Sequence, residues 1–199
     1  TSAGLYVVDL NGVGVDRKTV ETVDPTRSQA KIKFSDAPAE RLGGNGWDLL
    51  ENIQDRAAVL IAFEQVGGAE VALDMAKEYA LDRHAFGRPI ASYQAIKHRL
   101  ADMYIQIELA RSNSYYGAWA LSIDAAELSV AAATARVSAT EAYNFASKEN
   151  IQIHGGMGFT WEFNCHLYYR RSRQLALTLG SQRRWKDRLV RALERRNAA

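Results

Sequence analysis

The chain is expected to be mainly α, an antiparallel helical bundle preceded by a partial β domain. Two patterns lead there. Over long proline-free stretches, apolar residues recur at spacings of three and four, the period of a helix with one buried face. The opening segment instead carries short β-branched and aromatic runs separated by Gly, Asp and Pro. Pro38 and the Gly43-Gly44-Asn45-Gly46 cluster mark the change, so residues 1–44 are expected to form the partial β domain and residues 45–199 the bundle.

In order, Gly4 to Leu10 and Ser28 to Phe34 read as strands. Two strands alone are marginal in water and need partners from the helices or from residues upstream, which are expected because the chain opens on Thr1 without Met. From Trp47 to Asp82, Leu50, Ile53, Ala57 and Leu60 set a long helix, with a bend expected near Gly67-Gly68. Pro89 breaks the pattern. A second long helix is expected from Ser92 as N-cap, with Ile96, Leu100, Met103, Ile107 and Ala110 on one stripe. Asp124 interrupts it. The Ala-rich run Ala125 to Asn150 gives a third helix whose small side chains let neighbours approach closely. His166 to Leu179 and Gln182 to Arg196 supply two more, hinged at Gly180.

A hydrophobic content of 47% in 199 residues supports a real core, and a net charge of +2 is too balanced to suggest a nucleic-acid or membrane partner. The basic run Arg183, Arg184, Lys186, Arg188, Arg191, Arg195 and Arg196 is interleaved with Trp185, Leu189 and Leu193 at helical spacing and reads as a solvated helix face. Cys165 is alone, which excludes an intrachain disulfide and makes a reducing, cytoplasmic setting the expectation. No apolar run approaches the roughly 20 residues that span a bilayer. Without HExxH, CxxC, GxSxG or a P-loop there is no case for a metal site, a serine hydrolase or a nucleoside triphosphatase. His98 and His154 sit among apolar residues and are expected to be hydrogen-bonded structural histidines.

The stretch Ile151-Gln152-Ile153-His154-Gly155-Gly156-Met157-Gly158-Phe159-Thr160-Trp161-Glu162 is the most informative. Its glycines end a helix and leave backbone N–H groups uncovered, either as a plain C-cap or as a turn that receives a ligand. It belongs to an ordered set: Arg83-His84-Ala85-Phe86-Gly87-Arg88-Pro89-Ile90, Tyr93-Gln94, the glycine stretch, Tyr169-Arg170 and Leu179-Gly180-Ser181. In that set, and with LADM and ELAR between, the sequence resembles the acyl-CoA dehydrogenase family from about Arg56 to Arg196, and Gly4 to Leu42 is similar to the second half of that family's middle β domain.

The resemblance implies an FAD enzyme that introduces an α,β double bond into an acyl-CoA thioester and passes electrons to an electron-transfer flavoprotein or similar acceptor. It implies that Arg83, Phe86, Gln94, Gln152, Gly155 and Gly156 reach the adenine and pyrophosphate half of a neighbouring subunit's FAD. An arginine fork and open glycine N–H groups suit a pyrophosphate.

At the two positions where the family places its catalytic carboxylate, this chain has Leu179 and, on the first long helix, about Ala57, so no catalytic residue is assigned. Glu51, Asp55 and Glu64 lie on that helix, but each residue of shift turns a side chain by roughly 100°; they are solvated carboxylates or a relocated base. Ala85, Asn164 and Arg171 depart from the family pattern, Arg171 standing where Asp is usual. The expectation is therefore a subunit of a hetero-oligomer, a heterotetramer, that lends cofactor-binding residues to a homologous partner carrying the base and that resembles bacterial heteromeric members acting on steroid side-chain thioesters. The alternatives are a homotetramer with a relocated base and a flavin-free helical interaction protein.

Overall fold

The structure, a computed structural model, describes residues 4–43 and 46–198, which fall into two compact units, one through Gln54 and one from Asp55. In the first, β1 (Tyr6–Val7) pairs antiparallel with β4 (Glu40–Arg41), and β2 (Val15–Val20) with β3 (Gln29–Phe34) in the register Val15↔Phe34 to Val20↔Gln29. The expected strand over Gly4 to Leu10 shortens to two residues, the one ending at Phe34 forms, and β2 is additional. Its sequence, VDRKTV, carries no apolar alternation because five of its six side chains are exposed; the main-chain ladder alone defines it. Gly14 closes this pair with φ +80°, and a Cβ there would sit 2.3 Å from the Ser35 carbonyl oxygen, so only glycine fits.

Helix α1 (Gly46–Asp82) crosses from the first unit into the second, where α2 (Gln94–Ser122), α3 (Leu128–His154), α4 (Cys165–Leu177) and α5 (Gln182–Ala198) follow. At 37 residues α1 is about 55 Å long, and it runs through Gly67-Gly68 as one helix. Its exit is a hairpin, β5 (His84–Ala85) with β6 (Arg88–Pro89), and then a 3-10 turn over Ile90–Ser92. Ser92 is not the N-cap of α2. Pro89 holds extended backbone (φ −57°, ψ 141°), the 3-10 turn takes up Ser92, and its hydroxyl donates back to the Pro89 carbonyl at 2.7 Å while Tyr93 occupies the cap. Similarly, Asp124 at φ +52° delays α3 to Leu128, and α3 then runs four residues beyond Asn150.

The α2 stripe turns inward as expected: Met103, Ile107 and Ala110 are buried, with Ile96 and Leu100 packed against them. Burial of each large side chain contributes about 1.5–3 kcal/mol. The alanines of α3 do what small residues allow. Ala135, Ala139, Ala142 and Ala146 are fully or almost fully buried in the larger core cluster, beside Ala62, Ala69, Ala72, Ala76 and Ala80 of α1. A second cluster centres on Ala58, Val59, Ala131, Ala132 and Trp185, with Leu179 packed on it. The basic face of α5 is exposed except at Arg188, which turns inward. No helix of the described residues is long and apolar enough to cross a membrane.

Candidate functional site

The hairpin after α1, the start of α2 and the end of α3 meet at one end of the bundle. Tyr79, in the last turn of α1, stacks on His154, the last residue of α3, with centroids 4.2 Å apart, and Phe163 packs edge-on against both. Arg99 of α2 pairs with the buried Glu149 of α3. The Tyr93 hydroxyl donates to the Ala85 carbonyl at 2.9 Å, and the Arg88 guanidinium lies 4.1 Å over the Tyr93 ring, so the hairpin is fixed to the start of α2. These contacts bring Arg83, Phe86, Gln94, Gln152, Gly155 and Gly156 to the same end, and all six are exposed.

Their backbones explain the exposure. The hairpin tip places Phe86 at φ +51° and Gly87 at φ +79°. Such a turn favours Asn-Gly, and a bulky residue in its first position is strained, by about 1 kcal/mol or more. The phenylalanine gains no burial in return: it is 97% exposed. Gly155, the C-cap of α3, adopts φ +59°, ψ −135°, a conformation open essentially to glycine alone. Gly156 differs. Its φ is ordinary, and a Cβ there would meet nothing within 4 Å, so nothing inside the chain requires a glycine. Gly158 shows the contrast, since a Cβ there would lie 2.6 Å from the Ile151 carbonyl. Residues 83–99 add Arg83, Arg88, Lys97 and Arg99 without one Asp or Glu. An exposed ring, a glycine with open space where a Cβ would stand, and the basic side chains Arg83, Arg88 and Lys97 are chemically compatible with the adenine ring and pyrophosphate of a dinucleotide.

The two positions at which the resemblance expects a carboxylate, Ala57 and Leu179, lie elsewhere, in the second unit near the smaller cluster. Ala57 is half-buried on α1. Leu179, in the turn between α4 and α5, has φ +62°; its side chain packs on that cluster and its carbonyl accepts from Trp185 Nε1 at 3.2 Å. The carboxylates around Ala57 are engaged. Asp55 is buried and forms a two-point pair with Arg188, at 3.0 and 2.9 Å. Glu64 accepts from Arg171 Nη1 at 2.8 Å, which gives a partner to the arginine that departs from the family pattern. Glu51 is exposed.

His154 is structural as expected, with Nδ1 donating to the Asn150 carbonyl at 2.9 Å; His98 is not, because it lies exposed on α2. Sequence reasoning missed Arg136. It is buried among neutral acceptors, donating to Gln65, Thr140 and the Leu175 carbonyl, and to the Thr178 carbonyl at 2.8 Å. Burial pushes its guanidinium down to about 10. Its one visible signal is an arginine on the apolar face of an alanine-rich helix.

The C-terminal domain profile of acyl-CoA dehydrogenases matches residues 44–193. The chain is 43% identical over 166 residues to acyl-CoA dehydrogenase IpdE2 of Mycobacterium tuberculosis, covering 82% of this chain and 48% of that protein. It is 33% identical to the rat mitochondrial short-chain specific acyl-CoA dehydrogenase, over 86% of this chain and 43% of that one. Among solved structures it superposes on a variant of the Tcur3481-Tcur3483 steroid ACAD with a TM-score of 0.90 at 29% identity, covering 98% of this chain and 53% of that one. The ChsE4-ChsE5 complex from Mycobacterium tuberculosis gives 0.86 at 27% identity, over 96% and 52%. The chain thus spans about half the length of these relatives. The similarity extends over most of this chain, its helical bundle included, and the chain belongs to the acyl-CoA dehydrogenase family.

Proposed function

We propose that this chain is a subunit of an FAD-dependent acyl-CoA dehydrogenase that contributes part of a cofactor site to a homologous partner and carries no catalytic base of its own. The observation that carries this reading is the state of its carboxylates. Both addresses hold hydrocarbon, and Asp55 and Glu64 are each neutralised by an arginine. A general base needs a free carboxylate within hydrogen-bond reach of the proton it removes. Arg83 would meet the pyrophosphate, Phe86 and Gln94 the adenine half, and Gln152, Gly155 and Gly156 would present polar backbone and amide groups to it. FAD, when bound, supplies the acceptor for the β-hydride of the thioester, and electrons pass on to an electron-transfer flavoprotein or similar acceptor. The names of the solved neighbours, a steroid ACAD and a two-protein complex, support a bulky steroid side-chain thioester as substrate and a hetero-oligomer as the assembly.

The test compares the chain at its full natural length, alone and with its partner. Alone, it is expected neither to hold stoichiometric FAD nor to turn over an acyl-CoA; in the complex, Arg83→Ala and Gly156→Val are expected to lower FAD retention at least tenfold. Turnover by the isolated chain, abolished by Glu51→Ala, would instead establish a relocated base.

A further inference from the structure

The conformation of the glycine turn is tied to the residue before it. His154 is 4% exposed; its ring stacks on Tyr79 at 4.2 Å and 24°, and Phe163 closes against it at 5.3 Å and 63°. Because Nδ1 faces the Asn150 carbonyl oxygen, that nitrogen carries the proton and Nε2 does not. Gly158 folds back over the same residue, where a Cβ would come within 3.2 Å of His154 Cβ. The turn is therefore joined at Gly155 and packed at Gly158 to His154, whose ring is held in a cluster drawn from α1, α3 and the segment before α4. We infer that the Tyr79-His154-Phe163 cluster is the positioning element of the glycine turn, so that His154, acting through Gly155 and Gly156, decides how those glycines meet the dinucleotide. This rests on the cofactor-binding reading of that turn.

The surroundings set how the cluster responds to pH. The titratable groups that meet it are the Tyr79 phenol of α1 and, through Asn150, the Cys165 thiol of α4, 3.8 Å from Asn150 Oδ1 and pushed by burial up to about 11. Glu149, the neighbouring acid on α3, is engaged by Arg99. Among the described residues no carboxylate acts on the imidazole, and burial lowers it from the ordinary 6.5. A base depressed in the folded state supports the fold fully above its unfolded value and loses that support as pH falls from about 6.5 downwards. Protonation would put a charge with no carboxylate partner between the Tyr79 and Phe163 rings and loosen the turn.

The experiment measures FAD affinity by flavin fluorescence in the assembled complex between about pH 7.5 and about pH 5.5, a range in which histidine titrates. The wild type is expected to weaken toward the acid end of that range, by up to about tenfold per pH unit. His154→Phe keeps an aromatic ring that cannot charge, and is expected to bind like wild type at the upper pH with no such slope. His154→Gln, which keeps a donor for Asn150 but no stack, is expected to bind more weakly at every pH, also without the slope. Arg83→Ala is expected to be weak yet retain it. A wild-type slope in His154→Phe, or wild-type affinity in His154→Gln, overturns the inference. If Arg83→Ala and Gly156→Val leave FAD binding untouched, the parent reading fails instead.

Discussion

Gly67 and Gly68 are adjacent in the same helix, yet replacing each by alanine should shift stability in opposite directions. At Gly67 a Cβ meets nothing within 4 Å, so Gly67→Ala gains only the helix propensity that glycine forfeits, about 1 kcal/mol. At Gly68 the Cβ would lie 2.5 Å from Tyr143 Cζ, 2.6 Å from its hydroxyl and 2.9 Å from Cε2. Tyr143 is 2% exposed inside the larger cluster and cannot swing into solvent. Overpacking of this kind costs about 1–3 kcal/mol, and three contacts below 3.0 Å against a buried ring place it at the upper end. Offset by the same propensity gain, Gly68→Ala should destabilise by about 2 kcal/mol, leaving a gap of about 3 kcal/mol between neighbouring residues. In a chain of this size that is a rise of roughly 2–4 °C against a fall of roughly 4–8 °C. Urea denaturation with calorimetry measures both, and Tyr143→Leu should relieve much of the Gly68→Ala penalty, appearing as non-additivity. Shifts of the same sign, or additivity with Tyr143→Leu, would refute the packing account.

The ion pairs of α1 give two further expectations. Asp55→Ala strands Arg188 in a buried site and should cost about 3–5 kcal/mol, whereas Arg56→Ala, which breaks the exposed pair with Asp124 at 2.6 Å, should cost under about 1 kcal/mol; equal losses in urea denaturation would count against the burial argument. Arg171→Leu should lower stability by about 1–2 kcal/mol without giving the isolated chain any dehydrogenase activity, and turnover appearing on this substitution would show that Glu64 can serve as a base once freed.

What the sequence made legible follows from which forces are local. The α2 stripe and the alanine-rich α3 could be read because helical periodicity records burial within a single segment. Strand β2 could not, because neither of its faces is buried and a main-chain ladder leaves no side-chain pattern. Ser92 was misread as a cap for a related reason: its hydroxyl was available, but Pro89 had already fixed the turn that uses it. The residues proposed to meet the cofactor were legible only as an ordered set of motifs. Their common feature in the structure, exposure without an internal reason, is invisible in one dimension, as Phe86 and Gly156 show.

The carboxylates of α1 expose the deeper limit. Asp55 and Glu64 look like solvated acids or candidate bases when only their helix is considered, but their partners lie 133 and 107 residues further along the chain. Glu64 stands seven residues after Ala57 and so returns to nearly the same helical face, the position from which a relocated base would be easiest to imagine. The pairing with Arg171 is what the proposed function sets against that role, because it holds the carboxylate toward α4. In the proposed function the departure at Arg171 of α4 and the apolar Ala57 of α1 are linked: Arg171, where the resemblance expects an aspartate, supplies the cation that pairs with Glu64. On the proposed function, the lack of a base is then a property of the charge network around α1, not of the single residue Leu179.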